Sequence, residues 1–275
     1  MPEGPETLRQ VDELSDVLVG KKLTQVYFYH SQPDEFRAKL AKSSVKSIEP
    51  HGKAIVINFK NELSIYSHNN LYGKWKVLSH EEALKKNPFA SLRLSLSTKK
   101  IHACLFSASD IEVIPTNQLS AHPYIKSLGP NCLDKDLDWK NIKNRLTEAK
   151  FQKRKIKALL LDQKFVAGIG NYLRNEILFD SGIMPELKVF EISDKKLDNL
   201  AKSIISIPKR SYLQSGFTRK KSEYENLLKS HNEPAKLRFY VYGRMNLPCY
   251  KCQTKIKRLD SSNQPMYICP VCQSD

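Results

Sequence analysis

Hydrophobic residues recur along the chain with two different periods. From residue 8 to residue 18 an apolar side chain returns every three or four positions, which predicts an amphipathic helix that stops before Gly20. The chain then carries short runs rich in β-branched and aromatic residues, separated by polar turns. These runs predict strands at 23–29, 54–59, 63–67, 92–97, 101–106 and 111–114. Strands with this spacing are typical of a sandwich or a barrel-like pair of sheets.

The second half of the chain has a helical pattern. It predicts helices at 139–147, 155–163, 172–180 and 193–207, then a charged segment at 211–236 and a strand at 237–242. A segment bounded by proline and glycine links the two halves. We therefore expect an α+β protein with a β-sandwich domain and flanking helices at 1–120, a linker at 121–135, a helical domain at 136–236 and a cysteine-rich module at 237–275.

The charge of the chain points to a polyanionic partner. Lysine and arginine number 45 against 29 acidic residues, which gives a net charge of +16. Nucleic acid is the first candidate for such a partner, and a basic surface without a binding role is the alternative. No apolar run approaches the roughly 18 residues of a membrane span, and the N-terminus lacks the order of a signal peptide. We expect a soluble, intracellular protein that does not bind membranes.

Four of the six cysteines form two pairs, Cys249 with Cys252 and Cys269 with Cys272, separated by residues 253–268. Two CxxC pairs at this spacing are typical of a closed, tetrahedral zinc site, so we expect one structural zinc ion. Disulfides are the alternative, which a reducing compartment disfavours. The other two cysteines, Cys104 and Cys132, are expected to be buried as apolar residues.

The N-terminus carries a candidate nucleophile. If the initiator methionine is removed, Pro2 becomes a secondary amine, and a terminal amine has a pKa of roughly 7.7 to 8.0, so part of it is neutral near pH 7. Attack of this amine on an aldehyde-level carbon gives an iminium, which withdraws electrons without a cofactor. Glu3 would transfer a proton if burial raised its pKa above the free value of about 4.3. The alternative is a frayed leader without function.

Three further segments carry candidate contacts. Lys53 follows a His-Gly turn before an apolar strand, and residues 67–73 form a polar, aromatic and glycine-ended loop that suits insertion into a base stack. Two glycines before Asn171, read as a helix N-cap, allow close approach of an anion such as phosphate. Each segment also has an ordinary interpretation, namely a solvated lysine, a plain β-turn and a plain helical turn.

Together these features resemble the formamidopyrimidine-DNA glycosylase and endonuclease VIII family over nearly the whole chain. The resemblance is carried by MPEGPE at the N-terminus, the Lys53 turn, the AGIGN hairpin and the four-cysteine module. Within the family, SHNNLYG, FSASDIE and LLLDQKFVAGIGNYLRNEIL are more similar to the endonuclease VIII branch, which acts mainly on oxidised pyrimidines. The resemblance implies a helix-two-turn-helix domain with a zinc-finger hairpin after the β-sandwich.

The resemblance also implies roles for single residues. Pro2 would attack C1' of a flipped damaged nucleotide, Glu3 would protonate the sugar or the base, and Lys53 would assist β-elimination. The loop residues that would fill the vacated stack are Asn70, Leu71 and Tyr72, although the first is usually Gln in the family. Asn171 would grip a phosphate. The implied partner is double-stranded DNA with oxidised bases or abasic sites, bound by a monomer in the bacterial cytoplasm and nucleoid.

Two positions depart from the family pattern. Gln264 stands where the family has an arginine that grips phosphate and assists δ-elimination, and Ser127 stands where endonuclease VIII has an arginine, with Lys126 beside it. Arg258 is a nearby cation that would compensate in part. We expect base excision and β-elimination with weak δ-elimination. The alternatives are a glycosylase for oxidised purines, a DNA-binding protein without activity and an architectural zinc-finger protein.

Overall fold

The computed structural model describes residues 2–29, 34–85, 91–228, 234–259 and 264–274. The chain forms two compact units, each with its own core. The first unit contains Met1–Pro2 and Glu6–Ser127, and the second contains Glu3–Pro5 and Leu128–Asp275. The chain passes from the first unit to the second after Ser127, and the finer domain boundaries at 120, 135 and 236 stay predictions.

The first unit is built mainly of strands. Its elements are α1 (Gly4–Leu18), β1 (Gln25–Phe28), α2 (Asp34–Ala41), β2 (Val45–His51), β3 (Ala54–Phe59), β4 (Leu63–His68), β5 (Lys74–Ser79), α3 (His80–Lys85), β6 (Leu92–Ser97), β7 (Ile101–Phe106), β8 (Asp110–Pro115), a 3₁₀ helix (Thr116–Ala121) and α4 (Pro123–Ser127). The strands form two antiparallel sheets with the orders β2-β3-β4-β8 and β1-β6-β7-β5. The predicted β-sandwich is therefore confirmed.

Strand β3 shows why the apolar runs form a sandwich. All six of its residues are buried. Alternate side chains enter two cores: Ile55, Ile57 and Phe59 join the core between the sheets, while Ala54 and Val56 pack under the segment that follows β8. A strand covered on both faces reads as a continuous apolar run, which made it visible in the sequence.

Six elements of the first unit were not predicted, namely strands β2 and β5, helices α2, α3 and α4, and the 3₁₀ helix at Thr116–Ala121. In each of β2 and β5 the two buried residues lie three positions apart, so neither strand shows the alternation that marks a strand in a sequence. Helices α2 and α3 are short, with eight and six residues. Tertiary pairing supplies what their local pattern lacks, because β2 pairs with the strongly apolar β3 and β5 pairs with β7.

The second unit is mainly helical and ends in a small hairpin. Its elements are α5 (Trp139–Thr147), α6 (Ala149–Gln152), α7 (Ile156–Leu159), α8 (Asn171–Ser181), a 3₁₀ helix (Val189–Glu191), α9 (Asp194–Leu213), α10 (Lys221–Leu228), a 3₁₀ helix (Pro234–Leu237), β9 (Lys257–Leu259) and β10 (Met266–Ile268). Apolar faces of α5, α7, α8 and α9 form one core. The predicted helical domain with a cysteine-bearing hairpin is confirmed.

Two predicted elements of this unit are wrong. The helix predicted at 155–163 ends at Leu159, because Asp162 caps a turn through the backbone N–H of Lys164 and also pairs with Arg154. No strand is present at residues 237–242, because a buried carboxylate takes up backbone N–H groups there, as described below. Among the described residues, no helix is long and apolar enough to cross a membrane.

Candidate active site and nucleic-acid interface

The second unit holds Glu3 in a seat made by the start of α8. The Glu3 side chain is 3% exposed, and its two carboxylate oxygens accept hydrogen bonds from the backbone N–H groups of Gly170 and Tyr172 at 2.8 Å and Leu173 at 3.1 Å. These are N–H groups that the first turn of a helix leaves without intrahelical partners. An acceptor with two oxygens and a negative charge matches the three donors and the positive end of the helix.

Glycines make this seat narrow. A Cβ atom at position 170 would lie 2.4 Å from Cδ of Glu3, so only glycine leaves room for the carboxylate. Gly168 has a φ of +95°, which favours glycine, and its carbonyl accepts the N–H of Gly4 at 2.8 Å. The Gly-Ile-Gly-Asn turn thus binds the chain on both sides of Glu3. We expected this turn to approach an anion such as phosphate, and in the structure it approaches the carboxylate of Glu3.

Asn171 is the first residue of α8 and not its N-cap, which is Gly170. Its side-chain oxygen accepts a hydrogen bond from Nη2 of Arg174 at 2.6 Å, and the same nitrogen donates to the backbone carbonyl of Gln264 at 2.8 Å. Arg174 therefore links two of the predicted site residues. Burial lowers the pKa of Arg174 to about 10, while the charge of Glu3 acts in the opposite direction.

A second buried carboxylate organises the approach to the cysteine module. Glu176 is fully buried, and its oxygens accept the backbone N–H groups of Tyr240, Val241 and Tyr242 at 2.8 to 3.0 Å and the hydroxyl of Thr218 at 2.6 Å. Burial raises the pKa of Glu176, and these four donors oppose the shift. The segment cannot pair as a strand because its N–H groups are already used.

Sequence reasoning missed the roles of Arg174 and Glu176. Both are charged residues inside a helix whose other positions are almost all buried, and nine of its eleven residues lie in the interior. That conflict between charge and burial was the available signal, since buried charges require partners. Their partners lie far along the chain, so the sequence did not identify them.

In the first unit, Lys53 lies at the turn between β2 and β3, where Gly52 has a φ of +61°. The backbone N–H of Lys53 donates to the hydroxyl of Tyr124 at 3.2 Å. The rings of Tyr124 and His68 meet edge to face at 5.2 Å. Burial lowers the pKa of His68, to which the positive charge of Lys53 also contributes.

The loop after β4 presents three predicted contact residues. The backbone N–H of Asn70 donates to Nδ1 of His68 at 3.0 Å, and Gly73 closes the loop by donating to the carbonyl of Asn69 at 2.7 Å. Leu71 is 52% exposed and Tyr72 is 78% exposed. These two large side chains are neighbours in the loop, and their exposure leaves them available for contact with a partner.

The remaining predicted residues of the first unit have simple surroundings. Lys126 is exposed on α4, and the hydroxyl of Ser127 donates to the backbone carbonyl of Tyr124 at 2.8 Å. Pro2 is half-buried and directly precedes Glu3 in the chain. The chain itself therefore keeps the proline nitrogen close to the seated carboxylate. The contact residues belong to two groups, one in each unit.

The four paired cysteines come together in the second unit. Their Sγ atoms all lie within 4.8 Å of one another, and Cys249 and Cys269 are buried. Hydrogen bonds from Thr254 lower the pKa of Cys252 to about 6, whereas burial raises the pKa of Cys269 and of Cys272. Four thiolates at this distance repel one another unless a cation lies between them, so the donor set fits a metal ion.

Both exposed and buried cations lie near this cluster. The hairpin of β9 and β10 carries Arg258, which is exposed and faces Tyr267 across the ladder, and the side chain of Gln264 is also exposed. Below the cluster, the Tyr250 ring lies against the guanidinium groups of Arg244 and Arg219 at 3.5 and 3.7 Å from its centroid. This stack connects the cysteine module to the segment that leads into α10.

Comparisons with known proteins agree with these features. Residues 1–107 match the formamidopyrimidine-DNA glycosylase N-terminal domain, and residues 128–222 match the formamidopyrimidine-DNA glycosylase H2TH domain. The chain is 39% identical to Endonuclease 8 of Enterobacter sp. (strain 638) over 273 residues, which cover 99% of this chain and 100% of the relative. It is 38% identical to Endonuclease 8 of Escherichia coli with the same coverage.

Solved structures show the same fold. A complex of Lactococcus lactis Fpg with DNA that contains N7-benzyl-Fapy-dG superposes with a TM-score of 0.81 at 23% identity, covering 100% of both chains. A complex of the same Fpg with DNA that contains an abasic site gives a TM-score of 0.81, covering 99% of this chain and 100% of the other. The chain therefore belongs to the formamidopyrimidine-DNA glycosylase and endonuclease VIII family of DNA glycosylases and AP lyases.

Proposed function

We propose that this chain excises oxidised bases, mainly pyrimidines, from double-stranded DNA and then nicks the strand at the abasic site. The observation that carries the proposal is the seat of Glu3, in which three backbone N–H groups hold a buried carboxylate directly after Pro2. A carboxyl group held at fixed geometry beside a secondary amine has the two parts that covalent sugar chemistry needs.

Excision begins with attack of the Pro2 nitrogen on C1' of the flipped nucleotide, after Met1 has been removed. The C1'–N bond to the base and the C1'–O4' bond of the sugar break, so that the base departs and the ring opens. The carboxylate of Glu3 accepts the proton that the Pro2 nitrogen loses and donates it to the sugar or the base, and water supplies the proton that the other one needs. The hydrogen bonds of its seat fix the direction of the carboxyl group. The product is an iminium between Pro2 and C1'.

Strand cleavage follows from the iminium. Its positive charge acidifies the proton on C2', and removal of that proton expels the 3' phosphate by β-elimination. Lys53 assists this step from the turn before β3, where its ammonium group lies close enough to His68 to lower the pKa of that ring. Hydrolysis of the iminium then releases an unsaturated aldehyde on the 3' end and restores the amine.

Contacts to DNA come from both units. The gap left by the flipped nucleotide is filled by Asn70, Leu71 and Tyr72. The exposure of Leu71 (52%) and Tyr72 (78%) suits this role. Asn171, Lys126 and Ser127 contact phosphates. The net charge of +16 attracts the whole chain to the duplex. We expect the protein to bind DNA as a monomer, in the bacterial cytoplasm and nucleoid.

One zinc ion held by the four cysteines stiffens the hairpin of β9 and β10. When bound, the ion supplies structure and no reaction step, because four thiolates leave no open position. The hairpin then carries Arg258 and Gln264 toward phosphates. The stoichiometry is tested by modifying the thiols and measuring the released zinc with a colorimetric indicator. We expect one equivalent of zinc per chain. Two or more equivalents, or none, would contradict the assignment.

Base preference is tested by single-turnover excision on matched duplexes. We expect thymine glycol to be excised faster than 8-oxoguanine, because the full-length relatives named above are Endonuclease 8 proteins. Faster excision of 8-oxoguanine would favour the purine-specific branch.

The lyase is tested by trapping with borohydride on abasic DNA. We expect a covalent complex for the native chain, none for Pro2→Gly, and near-native trapping for Lys140→Ala, an exposed lysine of α5. Equal trapping by Pro2→Gly would overturn the proposal, and no trapping by any variant would favour a DNA-binding protein without activity.

A further inference from the structure

One end of the β-sandwich carries an unusual number of lysines. Strand β3 runs from Ala54, beside Lys53, to Phe59, and the turn after it carries Lys60. At about 3.3 Å per residue, the two ends of β3 lie roughly 17 Å apart. The turns after α1 and between β6 and β7 lie at the same end as Lys60, because Gln25 of β1 pairs with Ser97 of β6 and Val19 bridges to Val45 of β2.

We call this surface the lysine end. Its members are the exposed lysines of four neighbouring segments: Lys21, Lys22, Lys39, Lys42, Lys60, Lys99 and Lys100. Asp16 lines the first cavity together with four of these lysines, and Glu62 is an exposed acidic residue two positions after Lys60. The proposed catalytic residues do not include any of these lysines, and the strand directions place them away from Lys53 and from the loop of Leu71 and Tyr72.

The lysine end contains a cavity with an apolar floor. The cavity has a volume of about 630 Å³, and Val17, Leu23 and Ile101 contribute apolar surface to it. Four lysines line the same cavity, namely Lys21, Lys22, Lys99 and Lys100. Leu23 is also part of the core between the sheets, so the floor is fixed by packing and not by a mobile loop.

A second, more polar cavity adjoins the first. It has a volume of about 490 Å³ and is lined by Lys39, Lys42, Ser43, Ser44, Lys60 and Asn61. Lys22 of the first cavity forms an antiparallel bridge with Ser44 of the second, so the two lie side by side. The backbone N–H of Asn61 donates to the hydroxyl of Ser43 at 3.2 Å, which fixes the floor of the second cavity. Together they form a basic groove with one apolar pocket.

We propose that the lysine end docks a short acidic segment of a partner protein that carries a large apolar side chain. The apolar side chain would enter the 630 Å³ cavity, and flanking carboxylates would meet the lysines on its rim. Charge complementarity selects an acidic partner, and the apolar floor selects a protein over nucleic acid. A DNA duplex presents phosphates on a convex surface and has no apolar side chain to bury in such a cavity.

Docking at this end leaves Lys53 and the loop of Leu71 and Tyr72 uncovered. An acidic segment bound there would recruit the protein without occupying these residues. The charges and cavities of this surface all belong to the first unit, so absence of peptide binding would leave the proposed catalytic role of Pro2 unchanged.

The test uses fluorescein-labelled ten-residue peptides that contain four aspartates and one central leucine, phenylalanine or tryptophan. Binding to the full chain is measured by fluorescence anisotropy at low salt. The variant Lys99→Glu/Lys100→Glu reverses two charges on the rim, and Lys140→Glu/Lys195→Glu makes the same charge change on exposed helices of the second unit. Cleavage of abasic DNA by every variant checks that the fold is intact.

We expect saturable binding of at least one apolar peptide, weakened about tenfold or more by Lys99→Glu/Lys100→Glu and much less by the control variant. Replacing the central apolar residue of the peptide by serine should weaken binding by a similar factor. Both protein variants should cleave abasic DNA as the native chain does. Equal binding of the serine peptide, or equal loss in both variants, would overturn the proposal. Reduced affinity of Lys99→Glu/Lys100→Glu for lesion-free duplex, without peptide binding, would assign this surface to nucleic acid instead.

Discussion

The seat of Glu3 leads to a sharp prediction for Gly170→Ala. The backbone of Gly170 has φ −129° and ψ −154°, which alanine adopts without strain, so the substitution acts through its methyl group alone. That methyl would lie 2.4 Å from Cδ of Glu3, whereas ordinary contacts begin at 3.4 Å. The carboxyl group must therefore move by 3.4 − 2.4, about 1 Å, and a 1 Å displacement of a reacting group can lower a rate about 10²-fold.

The assay is single-turnover excision of thymine glycol, read on a denaturing gel after the abasic product is cleaved. We expect Gly170→Ala to slow excision about 100-fold. The displaced carboxylate also loses part of its three hydrogen bonds, so the free energy of unfolding should fall by about 2 kcal/mol.

A double-mutant cycle separates this effect from general damage. In the Glu3→Ala background no carboxyl group meets the new methyl, so Gly170→Ala should then change neither stability nor the residual excision rate by much. Native excision by Gly170→Ala would refute the reasoning. So would an equal loss of stability in both backgrounds, because the loss would then not pass through Glu3.

Three further predictions follow from single residues. Replacing Gln264, which is exposed, by arginine should add a cation there and increase the 3'-phosphate product of δ-elimination, seen on a denaturing gel at early times; an unchanged product ratio would contradict this. Replacing Tyr72, which is 78% exposed, by alanine should slow excision about tenfold or more while the free energy of unfolding changes by less than about 0.5 kcal/mol, and a large loss of stability would show instead that Tyr72 is structural. Burial lowers the pKa of His68 below its ordinary 6.5, so the contribution of His68 to stability is complete above about pH 6.5 and declines as the pH falls below that value. The melting temperature of His68→Asn should therefore depend less on pH than that of the native chain. An unchanged dependence would show that His68 is not the source of the pH dependence.

The sequence predicted the elements that carry their own pattern. Strand β3 is buried on both faces and reads as an unbroken apolar run, and strands β6 and β7 were predicted with the bounds that the structure has. The cysteine cluster was equally predictable, because ligand spacing within each CxxC pair is local. The catalytic residues proposed near the N-terminus rest on motifs whose order along the chain matches the family, and their roles stay predictions.

The sequence did not predict interactions that join distant segments. Glu176 uses three N–H groups of residues 240–242, more than sixty positions away, and so prevents the strand that the local pattern favours. Arg174 similarly joins Asn171 to the backbone of Gln264. No periodicity encodes such pairings, because each depends on a buried charge that finds its donors or acceptors only after the core has formed.

The central claim is that the nitrogen of Pro2 bonds covalently to deoxyribose. The most direct measurement is peptide mapping by mass spectrometry of the complex trapped with borohydride on abasic DNA. We expect a reduced sugar remnant on an N-terminal peptide that begins with Pro2. A remnant on Lys53 or another lysine, or active protein in which Met1 still blocks the proline nitrogen, would contradict it.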